Sequence, residues 1–179
     1  ANDAPLFAKR YGRKIEALAD IHLPERIPQN PKFAEDWLTY VRKEMPYQFV
    51  KFDPGAQAYF TKWLRAKYTN DLSFLKNAYR AVDLGGPITD WSSVKLADDY
   101  PWEGIRAADW GSFLEDEKAC PANLIHLDTP QIRYRKWVES KFKTIDALNG
   151  KYGTTYANFE DVDLPIKEAA WTDMLASKG

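Results

Sequence analysis

Three acids stand beside tryptophans: Asp90 next to Trp91, Glu103 next to Trp102 and Asp109 next to Trp110. An aromatic face and a neighbouring carboxylate are the two parts from which glycan sites are built. Cleavage of a glycosidic bond takes a pair of carboxylates about 5–9.5 Å apart across the sugar, and no such pair is evident in the spacing. Acids of this kind also cap helices and turns. Asp109 has a counterpart, Asp36, at the matching point of an internal repeat, which points to a structural role for both. The candidate ligand contacts are therefore Trp91, Trp102, Asp90 and Glu103, with no catalytic residue assigned.

The other reactive side chains are few. His22 and His126 each lie in an apolar–polar alternation, Ile21-His22-Leu23 and Ile125-His126-Leu127, with no second ligand at metal-binding spacing. No metal site and no cofactor is expected. Cys120 precedes Pro121 and matches Met45 in the repeat, so a soft apolar filler is expected there rather than a nucleophile paired with His126. Gly85-Gly86-Pro87 reads as a turn and not a phosphate loop. Arg10, Arg13 and Lys14, like Arg133, Arg135 and Lys136, read as solvated helix faces.

Composition bounds the rest. The chain has 179 residues, 25 Lys+Arg against 26 Asp+Glu, and a formal net charge of −1. That balance argues against nucleic-acid binding, which needs clustered positive charge. A single Cys excludes an intrachain disulfide framework. No run reaches the roughly 18 apolar residues of a membrane span. The termini, ANDAP and ASKG, read as cut points in a longer protein. The aromatic fraction is high, 15%, with 7 Trp.

Much of that aromatic content is repeated. Asp36-Trp37, Tyr40 and Val41 return as Asp109-Trp110, Phe113 and Leu114. Phe49-Val50-Lys51-Phe52-Asp53 returns as Leu124-Ile125-His126-Leu127-Asp128. Phe60, Trp63, Leu64, Lys67 and Tyr68 return as Tyr134, Trp137, Val138, Lys141 and Phe142. Leu72, Leu75 and Tyr79 match Ile145, Leu148 and Tyr152. Asp90-Trp91, Val94 and Leu96 match Asn158-Phe159, Val162 and Leu164. This order predicts a partial unit over 1–30, full units over 31–101 and 102–166, and the start of another over 167–179, all packed as one domain.

Each unit reads as mostly helical. Asn30-Pro31 is a cap followed by a first-turn proline. Phe33, Trp37, Tyr40 and Val41 then mark one helix face. A short extended segment follows over 47–52, and again over 123–127. Two further helices carry Phe60, Trp63, Leu64 and Tyr68, then Leu72, Leu75 and Tyr79. Asp90 and Asn158 cap the last short turns. Trp37, Trp63, Trp110 and Trp137 are expected in the core. The fold class is mostly α, duplicated short-helix units with long irregular connections and short extended segments.

The string Lys141-Phe142, Leu148-Asn149, Tyr152-Gly153-Thr154-Thr155-Tyr156, Phe159, Val162 and Leu164-Pro165 resembles a module of the catalytic barrels of family 42 glycoside hydrolases. There it is peripheral helix–turn–helix structure flanking the substrate cleft, and the catalytic glutamates lie elsewhere, with no match in this chain. The repeated module is also similar to extracytoplasmic insertions in bacterial sugar ABC transporter permeases. The resemblance is closer over 134–165 than over 60–96, where Thr69 follows Tyr68 and Lys76 replaces Asn149. It implies a non-catalytic, extracytoplasmic domain of such a permease, on the periplasmic or extracellular side of a membrane-bound parent. Its partners would be a solute-binding protein or carbohydrate. The alternatives are an accessory region of a glycoside hydrolase and a general protein-interaction scaffold.

Overall fold

The computed structural model describes residues 3–12, 14–16, 21–79, 87–102 and 104–164. It is mostly helical, with one short antiparallel ladder and long connections, as the patterning predicts. In chain order the elements are α1 (Ala4–Tyr11), α2 (Pro31–Lys43), β1 (Val50–Phe52), α3 (Ala56–Lys67), α4 (Leu72–Tyr79), α5 (Gly104–Glu115), β2 (Ile125–Leu127), α6 (Pro130–Phe142) and α7 (Ile145–Tyr152). Single 3₁₀ turns sit at Tyr47–Phe49, Trp91–Ser93, Ala122–Leu124 and Phe159–Asp161. The succession helix, 3₁₀ turn, strand, helix, helix, 3₁₀ turn thus occurs twice.

Local chemistry explains the boundaries. The Asn30 side chain accepts from the backbone N–H of Lys32 and Phe33, so α2 starts at Pro31. Thr129 does the same for Ile132 at the head of α6. At the head of α3 no side chain caps the helix, which begins at Ala56 after Gly55. The Asp53 carboxylate, three residues earlier, accepts from Arg26 at 2.8 and 3.0 Å.

By contact, the chain divides into two compact units, Arg26–Leu127 and Ala1–Glu25 with Asp128–Gly179. In the first, α2 packs on α5, α4 packs on α5, and β1 pairs with β2. Trp37, Leu64, Trp110, Phe113, Ile125 and Leu127 are fully buried. Phe113 meets Phe52, Phe60 and Trp63 at ring-centroid distances of 5.5, 5.2 and 5.9 Å. Trp110 meets Phe52, Tyr100 and Tyr47 at 4.9, 5.3 and 5.6 Å. These tilted and edge-on rings give short helices enough apolar area to be held by tertiary packing. Arg42, itself buried, donates to the carbonyls of Leu114 and Cys120 and so satisfies the end of α5 and the following turn.

The ladder has a particular register. Val50 faces Leu127, Lys51 faces His126 and Phe52 faces Ile125. The pairing is symmetric about the Lys51–His126 pair, where corresponding residues meet, while Val50 and Phe52 each face the counterpart of the other.

In the second unit, α6 packs on α7 and on the 3₁₀ turn Phe159–Asp161. Tyr134, Val138, Leu148 and Val162 form its buried centre, with Trp137, Phe142 and Tyr152 against it. Arg135 corrects the solvated-face reading of its run: it is buried and its Nε donates to the Val162 carbonyl at 2.9 Å. Asn149 ties the connection after α7. Its Nδ2 donates to the Tyr156 carbonyl at 2.9 Å, and its Oδ1 accepts from Tyr156 N–H at 3.0 Å and Thr154 Oγ1 at 2.8 Å. Gly153, at φ 66°, ends the helix in the left-handed region where a Cβ is disfavoured.

Two of the four expected core tryptophans are only half-buried. Trp63 and Trp137 each stack on the aromatic residue one turn earlier, Phe60 and Tyr134, at 6.1 and 5.8 Å. Lys67 and Lys141, one turn later, lie 4.8 and 4.5 Å from the ring centres. The lysine stem and ammonium cover a face that another apolar side chain would otherwise have to cover.

Candidate functional site

Carboxylates are the groups to trace first, because their partners decide what each can do. Asp109 is fully buried and accepts from Lys67 Nζ at 2.6 Å, Tyr68 Oη at 2.8 Å and Tyr79 Oη at 2.8 Å. One carboxylate on α5 thereby holds α3 and α4. Burial, followed by the hydrogen bond to Asp109, raises the Tyr68 phenol above its ordinary value, and burial followed by the Asp109 charge raises that of Tyr79. Both stay protonated as donors. The cluster is a satisfied structural anchor, in line with the role read from the Asp36–Asp109 correspondence.

Asp53 lies between Arg26 and His126. His126 Nδ1 is 3.0 Å from Asp53 Oδ1, without the alignment of a hydrogen bond. The Arg26 hydrogen bonds, reinforced by its charge and that of His126, hold the Asp53 carboxyl below the usual range against partial burial. Arg26 also bridges to His126 through the backbone, extending the ladder. His22 pairs with Asp163 at 3.7 Å. Among the described residues no cluster of His, Cys, Asp or Glu could hold a metal ion. Cys120 is buried, and burial pushes its thiol up to about 11. A thiol in that state is a poor nucleophile at neutral pH.

Asp90 caps the 3₁₀ turn Trp91–Ser93. It accepts from Ser92 Oγ at 2.5 Å and from the backbone N–H of Ser92 and Ser93 at 2.7 and 3.0 Å, while Ser93 Oγ turns back toward the N–H of Asp90. This is a capping box. The Ser92 hydroxyl and these N–H groups hold the Asp90 carboxyl below its ordinary value.

Trp91 is half-buried, and the Arg65 guanidinium lies 5.7 Å over its ring. Beside them an open groove of about 440 Å³ runs between α3 and the 3₁₀ turn, with Thr61, Lys62, Arg65, Ser92 and Lys95 in its wall. Gln57 fixes that wall. Its Nε2 donates to the Val94 carbonyl and to Thr61 Oγ1, both at 3.0 Å, and its Oε1 accepts from Leu96 N–H at 2.9 Å.

Trp102 is 69% exposed, with Tyr100 edge-on at 5.5 Å. No ring contact joins it to Trp91 among the described residues. Glu103 lies outside the described residues. Asp90 and Trp91 thus adjoin Ser92 of the groove wall without lining it, and Trp102 is at a separate exposed position. The groove's cations were not singled out in the sequence, where Lys62 and Arg65 look like an ordinary polar helix face. Only the fold brings Lys95 to them.

Comparison with known families gives a match over part of the chain. A glycoside hydrolase family 42 model, described as beta-galactosidase, matches residues 110–176. The matched stretch starts within α5 and takes in β2, α6 and α7. It covers a minority of the chain. No curated protein and no solved structure matches.

This finding corrects two expectations. The chain was expected to be a transporter-permease domain, and it was expected not to be an enzyme; the match is to a hydrolase family and gives no support for transport. No helix among the described residues is long and apolar enough to cross a membrane. The physical source of the error is that a helical module without visible catalytic acids reads alike in either setting. Its packing residues carry no information about the chemistry of its parent.

Proposed function

We propose that this chain is a helical, glycan-facing region of a glycoside hydrolase related to the family 42 β-galactosidases. The observation that carries the reading is the family match over 110–176. The Asn149–Gly153–Tyr156 connection, the most motif-like part of that stretch, is fully bonded in the structure. Trp102, exposed and buttressed by Tyr100, supplies an aromatic face of the kind on which a sugar ring stacks. Glu103, its neighbour in sequence, is proposed as the polar contact beside it. Trp91 and Asp90 shape the second candidate position.

The test is titration of the chain with a panel of β-galactosides, followed by tryptophan fluorescence, beside a chromogenic β-galactoside hydrolysis assay. Saturable quenching that Trp102→Ala weakens is the expected result. A flat response across the panel, with no hydrolysis, would overturn the reading.

The same proposal covers ancestry: the two successions of elements descend from one helical unit. Exchanging the apolar strand residues between the copies (Val50→Ile and Phe52→Leu with Ile125→Val and Leu127→Phe) should then leave cooperative unfolding intact. Loss of folding in the quadruple variant counts against it.

A further inference from the structure

We propose that the groove between α3 and the 3₁₀ turn Trp91–Ser93 binds the oxyanion of an acidic glycan, a carboxylate or a sulfate ester carried on a sugar. The inference rests on the glycoside-hydrolase reading for the word glycan and on the groove itself for the word acidic.

Three cations line the groove. Lys62 and Arg65 come from successive turns of α3, and Lys95 from the segment after the 3₁₀ turn. None of the three has a carboxylate within ion-pair distance among the described residues. Other surface cations are differently placed: Lys51 has Asp99, Arg133 has Asp128 and Lys136 has Glu25. Asp90, the acid that caps the 3₁₀ turn, is turned away from this role by Ser92, Ser93 and Thr89, which occupy its oxygens. Like charges gathered in one cleft repel one another and raise the local concentration of counter-ions. In a chain of net charge −1 this cluster is a local excess, not a general bias.

The groove is built as well as charged. Gln57 clamps the segment at Val94 and Leu96 onto α3, which fixes Lys95 relative to Lys62 and Arg65. The Arg65 guanidinium lies 5.7 Å over the Trp91 ring, and a guanidinium placed over an aromatic face can still give its donor edge to an oxyanion in two parallel hydrogen bonds. Two hydroxyls flank the cations. Thr61 Oγ1 accepts from Gln57 and keeps its own proton to donate. Ser92 Oγ donates to Asp90 and keeps its lone pairs to accept. A donor and an acceptor beside an anion site suit the hydroxyls next to the acidic group of a sugar. The volume, about 440 Å³, matches a small ligand or a short stretch of glycan.

Calorimetric titration of the whole chain tests this with four probes: trigalacturonate, galactose 6-sulfate, neutral galactotriose and inorganic sulfate. The acidic sugars should bind more tightly than galactotriose, and added salt should weaken them. Arg65→Ala and Lys95→Ala should each reduce affinity by about tenfold. Trp91→Leu should weaken binding by releasing Arg65, with Lys62→Ala in parallel as a variant that leaves the Trp91 packing untouched. Preference for trigalacturonate over galactose 6-sulfate assigns the carboxylate as the source, and the reverse assigns the sulfate ester. Inorganic sulfate binding as tightly as either sugar overturns the glycan assignment. Galactotriose binding equally well in wild type and variants overturns the groove while leaving the hydrolase reading in place. No binding by any probe overturns the groove proposal; the β-galactoside panel above decides the parent reading separately.

Discussion

Replacing Asp109 by Asn tests how the first unit is held together. The change keeps the shape of the side chain and removes its charge. In the native site one carboxylate accepts from three donors, Lys67, Tyr68 and Tyr79, at 2.6–2.8 Å. An amide in its place has one acceptor oxygen, and its NH₂ must face at least one of those donors. The two phenols are 4% and 3% exposed, so a hydroxyl that loses its acceptor finds no water to replace it. An unsatisfied buried donor costs about 1–3 kcal/mol, and breaking a buried ion pair about 3–5 kcal/mol. Lys67, with its side chain 36% exposed, regains part of its hydration and moderates the loss. We therefore expect Asp109→Asn to cost about 3 kcal/mol, a fall in Tm of roughly 6–12 °C for a chain of this size. The assay is urea unfolding followed by tryptophan fluorescence, with Lys67→Met and the double variant completing a thermodynamic cycle. A coupling of about 0.5–3 kcal/mol is expected for residues in one network. A Tm within a degree or so of wild type, or additive single effects, would refute the claim that Asp109 anchors α3 and α4 to α5.

Four further outcomes can be checked. Gly111→Ala places a Cβ 2.9 Å from the Tyr47 ring, which Glu115 holds through the Tyr47 hydroxyl at 2.5 Å; denaturant titration should show a loss of about 1–3 kcal/mol, and a neutral result would mean that Tyr47 moves freely. Asn149→Ala removes three hydrogen bonds to the 154–156 connection and should speed amide exchange at Tyr156, whose N–H would lose its acceptor; unchanged protection there would count against the role given to Asn149. Cys120 should react slowly with a thiol reagent at pH 8 in the native chain and fast in urea, because burial pushes its pKa to about 11; native labelling at the unfolded rate would contradict its placement. Burial and Asp109 raise Tyr68 and Tyr79, and burial and Glu115 raise Tyr47 to about 12, so the unfolded chain ionises these phenols first, near the ordinary value of 10. Their stabilising contribution is complete below pH 10 and is lost as pH rises toward the folded values. Tyr79→Phe should flatten the alkaline fall in Tm, and an unchanged slope would exclude Tyr79 from it.

Local signals were legible in the sequence because they act over a few residues. Asn30, Asp90 and Asn158 each accept from N–H groups two or three positions on, so type and spacing are enough to place a cap. The apolar stripes that place Trp37, Leu64, Trp110 and Val138 in the interior work in the same way. Long-range partners were not legible. Asp109 meets groups 30 to 42 residues away, and nothing local distinguishes it from a surface acid. Arg135 looked solvated because its acceptor is the Val162 carbonyl, and a backbone acceptor leaves no trace in residue type. Trp63 and Trp137 misled in the opposite direction, since a helical aromatic predicts burial whether the covering group is a core side chain or a lysine stem. The groove is the plainest case: Lys95 joins Lys62 and Arg65 only after Gln57 has tied the two segments together.

Lys51 opposite His126 puts the two strands in a relation that a single unit can have with another copy of itself. Such self-complementary pairing is how two-fold homodimers associate, each patch meeting its own likeness. A free unit able to make this ladder would be a concentration-dependent dimer. Tandem fusion of two such units, as the proposed common descent requires, would make the encounter intramolecular, at an effective concentration on the order of millimolar for a short connection. It also frees each side to change alone: once both strands belong to one gene product, a substitution on one need not appear on the other. On the common descent proposed above, His126 beside Asp53 and Lys51 beside Asp99 are what that freedom produces, two unlike contacts at one position of the unit.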